Sequence, residues 1–74
     1  MTSDVLRDAL GRRQFEPFRI LLSSGDSYEV RHPENALLLR GGIYVAQHGN
    51  GDLPERAVYC PLLHVAAVET LAST

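Results

Sequence analysis

The stretch from Phe15 to Asn35 constrains the fold more than any other part of the 74-residue chain. Pro17 fixes its own φ angle and lacks a backbone N–H, so it ends any preceding helix and favours an extended chain. Ser24-Gly25-Asp26 has the turn chemistry of a β-hairpin. Pro33 then interrupts the second strand, because proline cannot donate to a sheet ladder. The stretch therefore predicts an entry turn, two strands joined by a glycine turn, and a bend.

The alternation of apolar and polar side chains assigns faces to these two strands. In the first strand, Phe18, Ile20 and Leu22 point the same way. In the second, Tyr28 and Val30 share a face. Matching the apolar faces predicts that Leu22 lies opposite Tyr28. It also predicts Ile20 opposite Val30, with a three-residue loop or a bulge near the turn.

The N-terminal segment predicts a short helix over about residues 3–12. Ser3 and Asp4 can cap it, and apolar residues then recur at helical spacing on one face. Gly11 can stop or fray it. A helix of two to three turns is too short to be stable alone in water, so its apolar stripe must dock on the rest of the chain.

The segment after Pro33 has two interpretations. Ala36 to Arg40 fits a strand, because Gly41-Gly42 is typical of a hairpin turn into another strand. Pro33 at a first helical position, with Gly41 just past the end, also suits a short helix. Further elements are predicted as strands at 43–47, 56–60 and 64–70, a loop at 48–54 and a 3₁₀ connector at 61–63. These elements, from about 18 to 70, predict a single small domain that is mainly β with one N-terminal helix. Its strands form either a strongly bent antiparallel sheet or a small barrel.

Composition narrows the function classes. Seven arginines and no lysine face nine acidic residues, a net charge of −2, and a mildly acidic chain is a poor default binder of nucleic acid. Cys60 is the only cysteine, so an internal disulfide is impossible, and the three histidines lack metal-ligand spacing. We expect no metal, no cofactor, no catalytic residues and no enzymatic activity. The free cysteine predicts a reducing cytoplasm, and no apolar run is long enough to cross a membrane.

Small size predicts association. A chain this short buries only about 60% of its unfolded surface, and such domains commonly gain stability from disulfides, metals or partners. With the first two disfavoured, we expect a homo-oligomer that forms through strand edges, and a protein partner is a further expectation.

Two sets of residues are candidate binding sites. His32 and Glu34 flank Pro33, where they either form a polar pair that binds a ligand or partner or simply serve the bend. Tyrosines on different strands with nearby arginines can bind single-stranded nucleic acid, the rings stacking on bases and the arginines following the backbone. The alternative is that the rings fill or rim the core. The residues of this second set are Arg19, Arg31, Arg40, Tyr28 and Tyr44.

The pattern FEPFRILLSSGDSYEVRHPE, followed later by VYCPLLHVAAVETL, resembles a group of small uncharacterised bacterial proteins that share an N-terminal helix, a PFRI hairpin and an HPE break. The resemblance covers nearly the whole chain but implies no known chemistry. The order of helix, hairpin, long bent strand, two strands, 3₁₀ connector and last strand also resembles the Sm-like fold, or more broadly a small SH3-like barrel. That likeness implies rings, formed when strand four of one subunit pairs with strand five of the next, and RNA binding on the ring face. The family's tyrosine-lysine-histidine-alanine connector is matched only in part, since Tyr59 is followed by Cys60 and Pro61. RNA-binding roles therefore do not transfer residue by residue.

The sequence thus predicts a non-catalytic, self-associating interaction module of Sm-like type. The alternative function is binding of RNA or single-stranded nucleic acid through an arginine and tyrosine surface on a ring.

Overall fold

The computed structural model describes residues 2–71, which form one helix and six strands. The predicted fold class is confirmed: the chain is mainly β with one N-terminal helix and antiparallel strands. No helix within residues 2–71 combines the length and the apolar character that crossing a membrane would require. The elements are α1 (Ser3–Leu10), β1 (Phe18–Leu22), β2 (Ser27–Val30), β3 (Ala36–Leu39), β4 (Gly42–His48), β5 (Pro54–Pro61) and β6 (Val65–Thr70).

Helix α1 is two residues shorter than expected. It ends because Gly11 leaves helical geometry at φ −94° and ψ 6°, although its N–H still bonds to the carbonyl of Arg7 at 2.9 Å. The predicted caps are not used: Thr2 occupies the N-cap position, and its side chain makes no capping hydrogen bond. Leu6 is completely buried, so the helix is held by docking its apolar side on the sheets rather than by its ends.

The β1–β2 hairpin has a three-residue connection, and its register differs from the predicted one. The N–H of Leu22 bonds to the carbonyl of Asp26, and Gly25 takes a left-handed φ of 97°. This is a turn closed by a glycine bulge. The strands pair two residues away from the expected alignment, and Ile20 lies opposite Tyr28. Because the shift is an even number, the apolar faces still coincide.

Both interpretations of the segment after Pro33 are partly right, because a short helical turn comes first and a strand follows it. Residues Pro33–Asn35 form a 3₁₀ turn, and the chain then continues as strand β3. The extended backbone of His32, at φ −141°, leads into the turn. The bend therefore ends β2 and begins β3, so that one stretch of chain supplies a strand to each of two sheets.

The six strands form two three-stranded antiparallel sheets and do not close into a barrel. The order in the first sheet is β2-β1-β6, and the order in the second is β3-β4-β5. A second 3₁₀ turn, Leu62–His64, carries the chain from β5 back to β6, as the predicted connector does. The N–H of Ser23 bonds to the carbonyl of His64 at 2.8 Å and ties this connector to the hairpin.

The core lies between the inner faces of the sheets and under the helix. Alternate residues of the strands are buried there, in keeping with the period of two. Cys60 belongs to this core, and its thiol is free and inaccessible to solvent. The buried residues are Leu6, Phe18, Ile20, Val30, Ile43, Val45, Cys60 and Val65.

Candidate functional site

An open groove of about 820 Å³ lies at the fork where β2 and β3 part. One wall comes from β1, β2 and the start of the bend. The other comes from the end of β4 and the loop that follows it. The groove exists because β2 belongs to one sheet and β4 to the other, so their facing ends are not joined by a ladder. Its lining residues are Arg19, Ser27, Tyr28, Glu29, Arg31, His32, Asn35, Ala46, Gln47, His48, Gly51 and Asp52.

Four of the seven predicted site residues line this groove: Arg19, Tyr28, Arg31 and His32. The other three lie elsewhere. Glu34 is exposed in the 3₁₀ turn, and it does not contribute to the groove. Of the pair His32 and Glu34, only His32 lines the groove, and the arginine and tyrosine set is divided between surfaces.

The groove arginines are engaged by carboxylates. Arg19 Nη2 lies 3.1 Å from Glu29 Oε2, and Arg19 Nη1 lies 3.7 Å from Glu69 Oε1. The register explains these pairs, since Arg19 stands opposite Glu29 on β2 and opposite Glu69 on β6. Arg31 Nη2 reaches the same Glu29 at 2.8 Å. Charge on the outer face of the first sheet is thus balanced, two guanidiniums against two carboxylates.

Glu29 is the electrostatic centre of this network. Hydrogen bonds from Arg19, and then from Arg31, hold the pKa of its carboxyl below the usual 4.5. The carboxylate is therefore ionised at neutral pH and serves as an ion-pair partner rather than as a proton donor. The only cysteine, Cys60, lies in the core instead, where burial raises the pKa of its thiol. Within residues 2–71 no group of three or more His, Cys, Asp and Glu side chains is placed to hold a metal ion.

Several groove residues are not predicted as site residues by the sequence. Alternation puts Glu29 on the outer strand face, but nothing in the sequence indicates that it binds two arginines. His48 and Asp52 fall in the predicted loop after the fourth strand, whose length would let it move or reach a partner. The length of that loop is the one sequence feature that indicates a candidate contact surface at His48 and Asp52. Its position against β2 depends on tertiary packing, which sequence patterns do not carry.

Arg40 lies at a different corner of the molecule, beside α1. It lines a smaller depression with Ser3 and Arg7 of the helix and with Leu38 and Leu39 of β3. Arg40 and the groove arginines therefore cannot form one continuous basic track on the monomer.

Tyr44 belongs to the outer face of the second sheet, which carries exposed apolar side chains. The β3–β4–β5 register puts Leu37, Tyr44 and Tyr59 in one row, and the first of these is 60% exposed. The two tyrosine rings are 4.9 Å apart and tilted by 48°. The Tyr59 ring also lies over Gly42, where a Cβ atom would come within 2.6 Å of it. We call this surface the outer apolar face. It is formed by Leu37, Leu39, Gly42, Tyr44, Ala46, Ala57, Tyr59 and Pro61.

The pairing of β5 with β4 determines which backbone groups of β5 are free to bind another strand. The N–H of Leu62 bonds to the carbonyl of Gly41 at 3.0 Å, on the same register as the rest of the ladder. Hydrogen-bonded and non-hydrogen-bonded pairs alternate in an antiparallel ladder. Ala57 and Tyr59 are therefore in non-hydrogen-bonded pairs, and their N–H and C=O groups point away from β4.

The pairing of β6 with β1 determines its free backbone groups in the same way. The N–H of Leu71 bonds to the carbonyl of Pro17 at 2.9 Å, which makes Glu69 a hydrogen-bonded partner of Arg19. The N–H and C=O groups of Val68 and Thr70 consequently point away from β1. Both β5 and β6 are outermost strands within the two described sheets.

Comparison of the whole chain with protein-family models, with curated proteins and with solved structures finds no significant match to any of them.

Proposed function

We propose that this protein is a non-catalytic interaction module that self-associates through its free strand edges. The observation that carries the proposal is the edge of β5, where the backbone groups of Ala57 and Tyr59 have no partner on the free side among the described residues. An exposed edge with unpaired N–H and C=O groups is a template for another strand. The exposed apolar residues beside that edge are typical of an interaction surface.

The size of the chain supports association. A single small core supplies only a few kcal/mol, about 3–5 at this length, and pairing of edges adds buried area without enlarging the chain. The element order also supports the proposal. Helix, hairpin, bent double strand, two strands, 3₁₀ connector and last strand follow one another as the resemblance to the Sm-like fold requires. A cytoplasmic location is part of the same proposal.

Nucleic-acid binding is the weaker candidate. It needs arginines whose charge is available to phosphate, whereas Arg19 and Arg31 are paired with carboxylates. It also needs rings and arginines on one surface. Tyr28 borders the groove, but Tyr44 lies on the outer apolar face and Arg40 beside the helix.

Sedimentation velocity tests the proposed function. We expect the weight-average mass to rise above that of one chain as the concentration increases from micromolar to near-millimolar. Because the contact is made of backbone hydrogen bonds and apolar side chains, moderate salt should leave the association intact. A single species with the mass of one chain over the whole range would refute self-association.

A further inference from the structure

We propose that β5 pairs with β5 of a second copy, antiparallel and centred on Val58, to form a two-fold symmetric dimer. This inference rests on the proposed function, because it names the partner and the register of the edge contact. It commits the edge to a second copy of this chain. A different peptide, or β6 of a neighbour, becomes an outcome of the test.

Hydrogen-bond complementarity selects the register. In the proposed pairing, Ala57 of one copy lies opposite Tyr59 of the other, and each such pair exchanges two N–H···O=C bonds. The two-fold axis repeats the pair, so the two N–H and two C=O groups of Ala57 and Tyr59 in each copy all find partners. Val58 then faces its own symmetry mate in the non-hydrogen-bonded pair between them.

Neighbouring registers satisfy the edge less well. Moving the centre to Tyr59 puts Pro61 into a hydrogen-bonding position, where it has no N–H to donate. It also places two Tyr59 rings directly opposite each other. Moving the centre to Ala57 brings Glu55 into the pairing, next to the register shift between Gln47 and His48. The register centred on Val58 pairs Ala57 and Tyr59 with each other and brings Pro61 opposite Glu55 of the partner only at the two ends of the contact.

Side-chain size and charge fit the same register. On the outer apolar face the large ring of Tyr59 would stand beside the small Ala57 of the partner. None of the eight residues of that face is charged, so bringing two copies together opposes no like charges. Joining the edges would make one six-stranded sheet, in which the outer apolar faces of the two copies are continuous.

The edge of β6 is a poorer partner. Helix α1 and the following segment lie beside it, and a small cavity of about 110 Å³ there is lined by Val5 and Ala9 together with Val68 and Thr70. Glu69, between the two free positions, is 54% exposed at its side chain and paired with Arg19. Docking β5 on this edge therefore requires another chain to fit between the helix and a charged side chain.

Amide hydrogen exchange on the unmodified protein is the primary test. We expect exchange at Ala57 and Tyr59 to slow by at least about tenfold as concentration rises through the association range. Val68 and Thr70 should show no concentration dependence. If all four amides become protected together, β5 pairs with β6 and the inference is overturned while self-association stands. If the protein associates and none of the four is protected, the contact lies elsewhere and edge pairing is wrong.

A proline variant supplies the second test. Ala57→Pro removes a free-edge N–H without removing a bond to β4, so the fold is expected to survive and the dimer to be lost. Thr70→Pro makes the matched change at an exposed position on the edge of β6 and should leave the dimer intact. Far-UV circular dichroism verifies that both variants are folded. A folded Ala57→Pro variant that still forms the dimer would overturn the inference.

The register itself is tested by cysteine cross-linking. Only a pairing centred on Val58 puts that residue opposite itself, with Cα atoms about 4.5 Å apart, inside the range of about 4.4–6.8 Å that a disulfide accepts. Val58→Cys should therefore form a disulfide-linked dimer on oxidation. Ala57→Cys should not, because it faces Tyr59 of the partner. The reverse pattern would show a different register.

Discussion

Arg19 stands directly across the ladder from Glu29, and their side chains meet at 3.1 Å on the outer face of the first sheet. Arg19 also reaches Glu69 on the strand at its other side, and Glu29 also binds Arg31. The network spans all three strands of the sheet. Glu29 and Glu69 neutralise the positive charges of Arg19 and Arg31, so the outer face of the first sheet is not a basic surface.

The lowered pKa of Glu29 predicts a loss of stability in acid. Its carboxyl has a folded-state pKa below the usual 4.5, so the unfolded chain binds the proton first as the pH falls. The contribution of Glu29 is therefore complete above about pH 4.5 and disappears as the pH drops through the folded-state value. We expect Glu29→Gln to lower the thermal midpoint at pH 7 and to lower it by less at pH 3.

The matched control is Glu34→Gln, which removes an exposed carboxylate that makes no ion pair among the described residues. Thermal unfolding followed by circular dichroism at both pH values measures the effect. Equal loss from the two variants at pH 7, or the same loss for Glu29→Gln at both pH values, would contradict the role assigned to the network.

Gly42 is predicted to be intolerant of any side chain. A Cβ atom there would lie 2.6 Å from the Tyr59 ring and 2.7 Å from the carbonyl oxygen of Cys60, which is backbone and cannot move freely. We expect Gly42→Ala to cost about 1–3 kcal/mol in urea unfolding. Gly41→Ala is the control, because its nearest contact, the Tyr59 hydroxyl, is at an ordinary 3.5 Å. Similar free energies of unfolding for Gly42→Ala and Gly41→Ala would contradict the predicted clash of a residue-42 side chain with Tyr59 and Cys60.

Gly25 should be required for its backbone conformation alone. Its φ of 97° is in the left-handed region, and no described atom beyond its chain neighbours lies within 4 Å of where a Cβ atom would stand. Gly25→Ala is expected to cost about 1–2 kcal/mol, whereas Gly51→Ala, equally open but without positive φ, should change stability by no more than about 0.5 kcal/mol. Denaturant titration of the pair separates backbone strain from crowding. A neutral Gly25→Ala would mean that the hairpin turn adapts without strain.

Nucleic-acid binding is expected to be absent or weak. Fluorescence anisotropy with a labelled single-stranded RNA should show no saturable binding at low salt, because the groove arginines already have carboxylate partners. Binding that weakens steeply between about 50 and about 200 mM salt would instead favour the alternative function. In that case Arg31→Ala should reduce both the affinity and the salt dependence.

The thiol of Cys60 should be inert in the folded protein. It is completely buried, and burial raises its pKa above the usual 9.0, so little thiolate is present or accessible at pH 8. A disulfide reagent is expected to react at least about a hundredfold faster in urea than in buffer. Rapid labelling without denaturant would show that β5 opens readily.

Local chemistry made much of the fold predictable. Gly25 and Pro33 each impose a turn or bend through their own backbone geometry. The turn predicted at Gly41-Gly42 lies one residue earlier, at residues 40–41, and the strands lie close to where the alternation predicts them. The predicted hairpin register is wrong by two residues. Alternation has a period of two and therefore cannot distinguish registers that differ by an even number. Both registers allow a three-residue loop, and the position of Gly25 as the last residue of that loop decides between them.

The grouping of site residues was less predictable. Arg19, Arg31 and Arg40 are equivalent in composition, but two of them meet Glu29 across a strand pair and the third lies beside α1. Glu69 is far from Arg19 in the chain and becomes its neighbour only when β6 pairs with β1. Such contacts depend on which strands are adjacent, which periodicity within each strand does not determine.

Pro54 and Pro61, at the two ends of β5, also limit how the protein can aggregate. An exposed strand edge can seed cross-β fibrils when chains add one after another along it. Pro61 offers no N–H on the free side, so a foreign strand cannot extend its ladder there. A symmetric dimer would use up the same edge on both copies at once and leave none of it for a third chain. The edge of β5 would then be unavailable for fibril growth at concentrations where the same edge, left unpaired, would nucleate fibrils.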